Sequence, residues 1–198
     1  PYTREMSSDL NRFLRQLSPK LVINNRVESN GLLPTDPRGD YATPEQKVGS
    51  YNTDQPWETC MTLGDQWAYK PNDRYKTLSK VLEILVQTVT GDGNLLLNVG
   101  PDAEGQIPPE QQKLLAGMGE WLKTSGEGVY GTRGGPYRNG AWGGTTRKGQ
   151  TVYFHVLNWG KGTIELPALP ASVRTTRVLQ RGVQAKIAST KDALTLTL

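Results

Sequence analysis

The apolar residues of this chain keep one rhythm as far as Tyr130 and another after Gly131, and that change limits the folds open to it. Met6, Leu10, Phe13, Leu14 and Leu17 recur at helical spacing, and Ser18-Pro19 ends the run. Residues 20–25 (KLVINN) follow as a short apolar stretch ending in polar residues, the pattern of a buried parallel strand opening into a loop. Residues 28–39 (ESNGLLPTDPRG) turn to Gly, Pro, Asp and Asn, and so read as a long loop. Residues 57–63 form another apolar run of strand type. Leu78, Val81, Leu82, Leu85, Val86 and Val89 then give a helical stripe, with Thr77 placed to cap it. Gly91-Asp92-Gly93 breaks that helix before a buried strand at 94–99 (NLLLNV), which Gly100-Pro101 stops. Pro108-Pro109-Glu110 opens a last helix, with Leu114, Leu115, Met118, Trp121 and Leu122 inward and Gly126 and Gly128 at its end.

This order of helix, strand, loop, strand, helix, strand, helix is that of an α/β barrel entered at its middle. After Gly131 the helical period disappears. A turn-rich stretch at 132–144 leads into short alternating runs at 151–157, 163–166, 173–180, 184–188 and 193–198. Short runs divided by Gly or Pro predict a small antiparallel β-sandwich. The fold expected is therefore α/β: the carboxyl-terminal half of a (β/α)8-like barrel over residues 1–131, then a β-sandwich domain over 132–198.

Composition removes several functions. The net charge of +4 is spread over dispersed Lys and Arg, without the basic stripe that nucleic-acid binding requires. No run approaches the ~18 apolar residues of a membrane span. The chain has one cysteine, Cys60, and one histidine, His155, lying on different modules, so neither a zinc site nor a His-dependent triad is expected. Cys60 is expected as a small buried hydrophobe. The glycine-rich GDGN at 91–94 precedes a strand, whereas a phosphate cradle follows one and opens a helix. No metal and no cofactor is expected. The start, PYTREM, carries neither an initiator Met nor a signal pattern and reads as the interior of a longer chain.

Carboxylate chemistry remains. Glu45 follows the rigid Pro44, and Glu58 lies between Trp57 and Trp67, whose flat faces suit a sugar ring as well as a protein core. Glycoside hydrolysis uses two carboxyl groups, and barrel enzymes carry such groups at the carboxyl ends of their strands. Arg26, at the end of the first predicted strand, offers a planar fork for a ring oxygen or hydroxyl.

Five segments in order tie these residues together: VINNR (22–26), YATPEQ (41–46), WETCMTLGDQWAY (57–69), GNLLLNVGPDAEG (93–105) and GEGVYGT (126–132). Together they resemble the α-L-fucosidases of glycoside hydrolase family 29. The resemblance covers roughly residues 5–132 and is looser beyond. It implies a retaining exo-hydrolase that removes terminal α-L-fucose through a covalent intermediate, acting on fucosylated glycans outside the cytosol.

By motif the resemblance maps Glu45 of the TPE triplet as general acid/base, with Glu58 as the rival or supporting carboxylate. Arg26 maps as a substrate contact, and Trp57, Glu58 and Trp67 join the substrate-binding set, Trp67 against the sugar's C6 methyl. The family's nucleophilic aspartate falls upstream of this chain; Asp9, inside the first helix, does not match its motif. Ala68 stands where the family has Gly, and Asp92 where a small residue is usual. The resemblance thus predicts that these 198 residues alone are inactive. A non-catalytic carbohydrate-binding or structural protein on the same fold is the competing expectation. Linkage preference and oligomeric state are left open.

Overall fold

A computed structural model describes residues 3–27, 39–180 and 182–198; most of the predicted 28–39 loop lies outside them. Helix α1 (Arg4–Leu17) begins as the sequence predicts, with the Thr3 hydroxyl accepting the Met6 N–H at 3.2 Å. Its orientation is unexpected. Ser7 and Asn11 are buried, whereas Met6, Phe13 and Leu17 are 51, 54 and 69% exposed. The helix lies on the edge that carries its small and polar residues, and half its apolar stripe faces outward.

Four extended segments then lie side by side in chain order, all parallel. Asn24 bridges Tyr41, Ala42 bridges Trp57, and Glu45 bridges Cys60. Strand β1 (Glu58–Thr62) pairs along its whole length with β2 (Asn94–Asn98). The ladder runs through Asn25 N–H to Tyr41 O at 3.1 Å, Glu58 N–H to Ala42 O at 2.9 Å and Asn94 N–H to Trp57 O at 2.9 Å. The first two segments pair only through isolated bridges, so the strand expected at 20–25 is extended chain rather than a full strand.

Between β1 and β2 runs α2 (Leu78–Thr90), capped by Thr77, whose hydroxyl accepts the Lys80 N–H at 3.2 Å. Its buried face includes Val81, Leu85 and Val86 as expected, and also Ile84. Leu78, Leu82 and Val89 are half-buried, and the buried face is turned from the predicted stripe because β2, the helix that follows β2 and the β module all pack on it. Helix α3 (Pro109–Ser125) follows β2 with Pro at its first turn.

The antiparallel module holds two small sheets. One has the order β3 (Arg133–Gly134), β4 (Gly143–Lys148), β5 (Thr151–Val156). The other has β8 (Ala193–Thr197) between β6 (Thr163–Pro167) and β7 (Lys186–Ser189). Phe154 and Val156 of the first sheet pack on Ile164, Leu194 and Leu196 of the second, joined by Trp142 and Trp159. Both tryptophans are thus core, consistent with a sandwich. The run at 173–180 is not a strand: Val173 reaches the core, but Arg174, Thr175, Thr176 and Arg177 follow it as four consecutive polar residues, and Val178 is 44% exposed.

Where the two parts meet, Asp92 holds Arg133. Asp92 has φ 68° and a side chain only 4% exposed. Its carboxylate accepts Arg133 Nη2 at 2.6 Å, Arg133 Nε at 2.9 Å and the Gly134 N–H at 2.5 Å. Asp92 is therefore held in a structural ion pair. His155 is likewise structural: its Nε2 lies 3.1 Å from Gly128 O and 3.0 Å from Thr146 Oγ1, and burial pushes its pKa down to about 4.

Candidate active site

Strand geometry decides which side chains can meet. Successive residues of an extended chain point to opposite faces, so alternate positions share one face. Tyr41, Thr43 and Glu45 share a face on the second segment, Glu58 and Cys60 on β1, and Leu96 and Asn98 on β2. With Asn24 and Arg26 of the first segment and Trp67 from the loop after β1, they line an open cleft of about 460 Å³.

Arg26 anchors one wall. Its guanidinium donates from Nη1 to Glu45 Oε2 at 2.6 Å and from Nε to Thr43 Oγ1 at 2.9 Å. Thr43 is fixed in turn by Asn25, whose Oδ1 accepts the Thr43 N–H at 3.2 Å and its hydroxyl at 3.1 Å. Asn24 Oδ1 accepts the Arg26 N–H at 3.0 Å. The asparagine pair before Arg26 therefore shapes the backbone and the threonine that aim the guanidinium.

Glu45 is tied to β1 from both sides. The Cys60 N–H donates to Pro44 O at 3.0 Å, and the Gln46 N–H donates to Cys60 O at 2.9 Å. Pro44, which has no N–H to give, contributes its carbonyl instead. The carboxylate is partly exposed at the cleft wall. Glu58 sits across the ladder on the same face; among the described residues no donor holds its carboxylate.

Two expectations need correction. Trp57 does not line the cleft. It is 3% exposed, and its Nε1 donates to Gly91 O at 3.3 Å. Its ring lies so close to Gly93 that a Cβ there would come within 2.4 Å of it. Preceding Glu58 by one residue in an extended strand, it must face the opposite side. Cys60 is only half-buried and faces the cleft. Burial pushes its thiol pKa up, the charges of Glu45 and Glu58 add to this, and Arg26 opposes it.

Trp67 is 40% exposed at the cleft's edge, and Asn98 Nδ2 donates to its carbonyl at 2.8 Å. Tyr41, Thr43 and Leu96 join the site without having been singled out by the sequence. Counting by twos from Glu45 reaches the first two, and Leu96 is the β2 partner of Cys60 in register. The cleft thus combines two carboxylates, a forked cation and apolar faces from Trp67 and Leu96, a set that suits a polyhydroxylated ring.

The family model described as Alpha-L-fucosidase matches residues 2–127. An alpha-L-fucosidase of Branchiostoma floridae is 31% identical over 201 residues, covering 94% of this chain and 43% of that protein. The tissue alpha-L-fucosidase of Bos taurus is 32% identical over 196 residues, covering 93% of this chain and 41% of its own length. Among solved structures, alpha-L-fucosidase isoenzyme 1 from Paenibacillus thiaminolyticus superposes with a TM-score of 0.80 at 34% identity, over 97% of this chain and 49% of that one. The chain spans less than half the length of each of these proteins.

Proposed function

Because the chain belongs to the α-L-fucosidase family, we propose that it carries the acid/base side of an exo-glycosidase that releases terminal α-L-fucose from glycans and glycoconjugates. On this reading residues 1–131 form the second half of a (β/α)8-type barrel and 132–198 its β-sandwich companion. The four parallel segments and the cleft lined by their side chains support it.

The mechanism proposed is double displacement with retention. A carboxylate from outside these residues attacks the anomeric carbon while Glu45 gives a proton to the departing oxygen. Water then opens the glycosyl-enzyme, with Glu45 taking the proton back. The observation that carries the assignment is the pairing of Glu45 with Arg26 at the cleft wall. The guanidinium forks onto Glu45 and Thr43. Sugar hydroxyls replacing those bonds would release the carboxylate to take up a proton from solvent, which it then gives to the departing oxygen. Trp67 supplies the apolar wall. Glu58 is the second candidate for the proton donor, favoured by its open carboxylate.

No helix among the described residues is long and apolar enough to cross a membrane. The reading places the enzyme's action outside the cytosol, in keeping with the "tissue" and "plasma" names of its relatives. The 198 residues alone are expected to be inactive, since the nucleophile is contributed from elsewhere.

The test uses the full-length protein encoded by its gene. Wild type should release fucose from both a fucosylated oligosaccharide and 4-nitrophenyl α-L-fucoside. Glu45→Gln should lose the first activity, about 100-fold or more, and largely spare the second, whose leaving group needs no proton. Equal loss on both substrates transfers the role to Glu58. Absence of fucose release by wild type rejects the hydrolase reading in favour of a carbohydrate-binding or structural role.

A further inference from the structure

Trp67 stands on a loop, yet that loop is bonded as firmly as a strand. Residues 64–75 leave β1 and return beside its end. Gly64 bridges Tyr75 antiparallel, and the Lys76 N–H donates to Leu63 O at 2.9 Å. At the far end, the Asp73 N–H donates to Lys70 O at 3.2 Å, with Asn72 in the left-handed region at φ 58°. The Asp73 carboxylate fills the interior: it accepts the Gln66 N–H at 3.3 Å and leaves no room for a Cβ on Gly64. The Lys76 ammonium, turned inward, donates to Thr62 O at 2.6 Å and Gly64 O at 3.2 Å.

Two further supports come from the far side of β1. Asn98 Nδ2 donates to Trp67 O at 2.8 Å. Gly100 lies flush against the next residues, where a Cβ would be 3.0 Å from both the Ala68 carbonyl carbon and the Tyr69 nitrogen. Gly100 is itself held, its N–H donating at 3.0 Å to Oε1 of Gln111, a 4%-exposed side chain of α3. A glutamine buried in a helix, away from the cleft, thus fixes the surface on which the Trp67 loop rests.

We infer that Asn98, and Gln111 acting through Gly100, are positioning residues that hold Trp67 as a preformed wall of the cleft. A sugar then stacks without first ordering a loop, and the entropy of ordering is not charged against binding. The inference rests on the hydrolase reading above, but the loop can be measured without activity.

Asn98 also lines the cleft, so Gln111 and Gly100 are the decisive positions. In the full-length protein, Gln111→Leu removes the acceptor and Gly100→Ala forces the loop outward. Each should raise KM for 4-nitrophenyl α-L-fucoside about fivefold with little change in kcat, the signature of lost uniform binding. Amide hydrogen exchange should quicken within 64–75 and not across the rest of the molecule. Gln111→Glu, which keeps the accepting oxygen, should restore both. Unchanged KM in Gln111→Leu and Gly100→Ala overturns the inference, as does exchange that loosens everywhere. Should wild type prove inactive, the hydrolase reading fails, and exchange alone decides whether the clasp exists.

Discussion

Arg26 Nη1 and Glu45 Oε2 lie 2.6 Å apart on neighbouring parallel segments, with the guanidinium also bonded to the Thr43 hydroxyl and carbonyl. The geometry requires a planar fork, not merely a positive charge.

Arg26→Lys should therefore behave poorly despite keeping the charge. In the full-length protein, if the proposed hydrolysis holds, kcat/KM on an aryl α-L-fucoside should fall about tenfold for Lys and about 100-fold for Ala. Steady-state kinetics of the two variants checks this; a Lys variant equal to wild type would show that charge suffices.

Arg133→Ala strands the Asp92 carboxylate, which is almost inaccessible while Arg133 itself is largely exposed. Removing the partner should cost about 2 kcal/mol, below the cost of a fully buried pair, and urea denaturation would read it. Burial alone raises the Asp92 pKa, but hydrogen bonds from Arg133 and Gly134 outweigh it, so the folded pKa is lowered. The pair's contribution is complete above the unfolded value of about 4 and is lost as pH falls through the folded one. Asp92→Asn should flatten stability in that acid range.

His155 acts in a separate window. Its folded pKa of about 4 lies below the ordinary 6.5, so the unfolded chain binds its proton first. Stability is full above pH ~6.5 and declines toward pH ~4, by about 3 kcal/mol in all. Replacing His155 by Gln should remove that slope in urea titrations at stepped pH; an unaltered slope would assign it to other groups.

Gly93→Ala should push a methyl into the Trp57 ring, since a Cβ at this position would lie 2.4 Å from it. Overpacking of this kind costs about 1–3 kcal/mol. Thermal melting should show it, and Trp57→Phe combined with Gly93→Ala should recover part of the loss.

The helices were legible because their caps and periods agree: Thr3 and Thr77 are the capping residues in the structure, and Thr77 is already placed to cap in the sequence. The position of Trp57 is legible in principle. Its flat ring suits a sugar as well as a core, and the strand rule decides between them, since a neighbour of Glu58 must face the other way. Strand β4 was hidden by its Gly143-Gly144 start, a sequence poor in strand formers. Gly144 is there because a Cβ would come within 2.6 Å of Thr90, so the strand owes its place to a close pass over α2. The outward stripe of α1 was not legible: a helical period tells which residues share a face, not which way that face is turned.

The ion pair at Asp92 does not stand alone. Asp92 sits in the three-residue turn joining α2 to β2, Gly93 follows it, and the ring of Trp57 rests on Gly93. Trp57 in turn is bonded through the chain to Glu58. One run of contacts thus leads from Arg133 of the β module, through Asp92, Gly93 and Trp57, to the root of a cleft carboxylate.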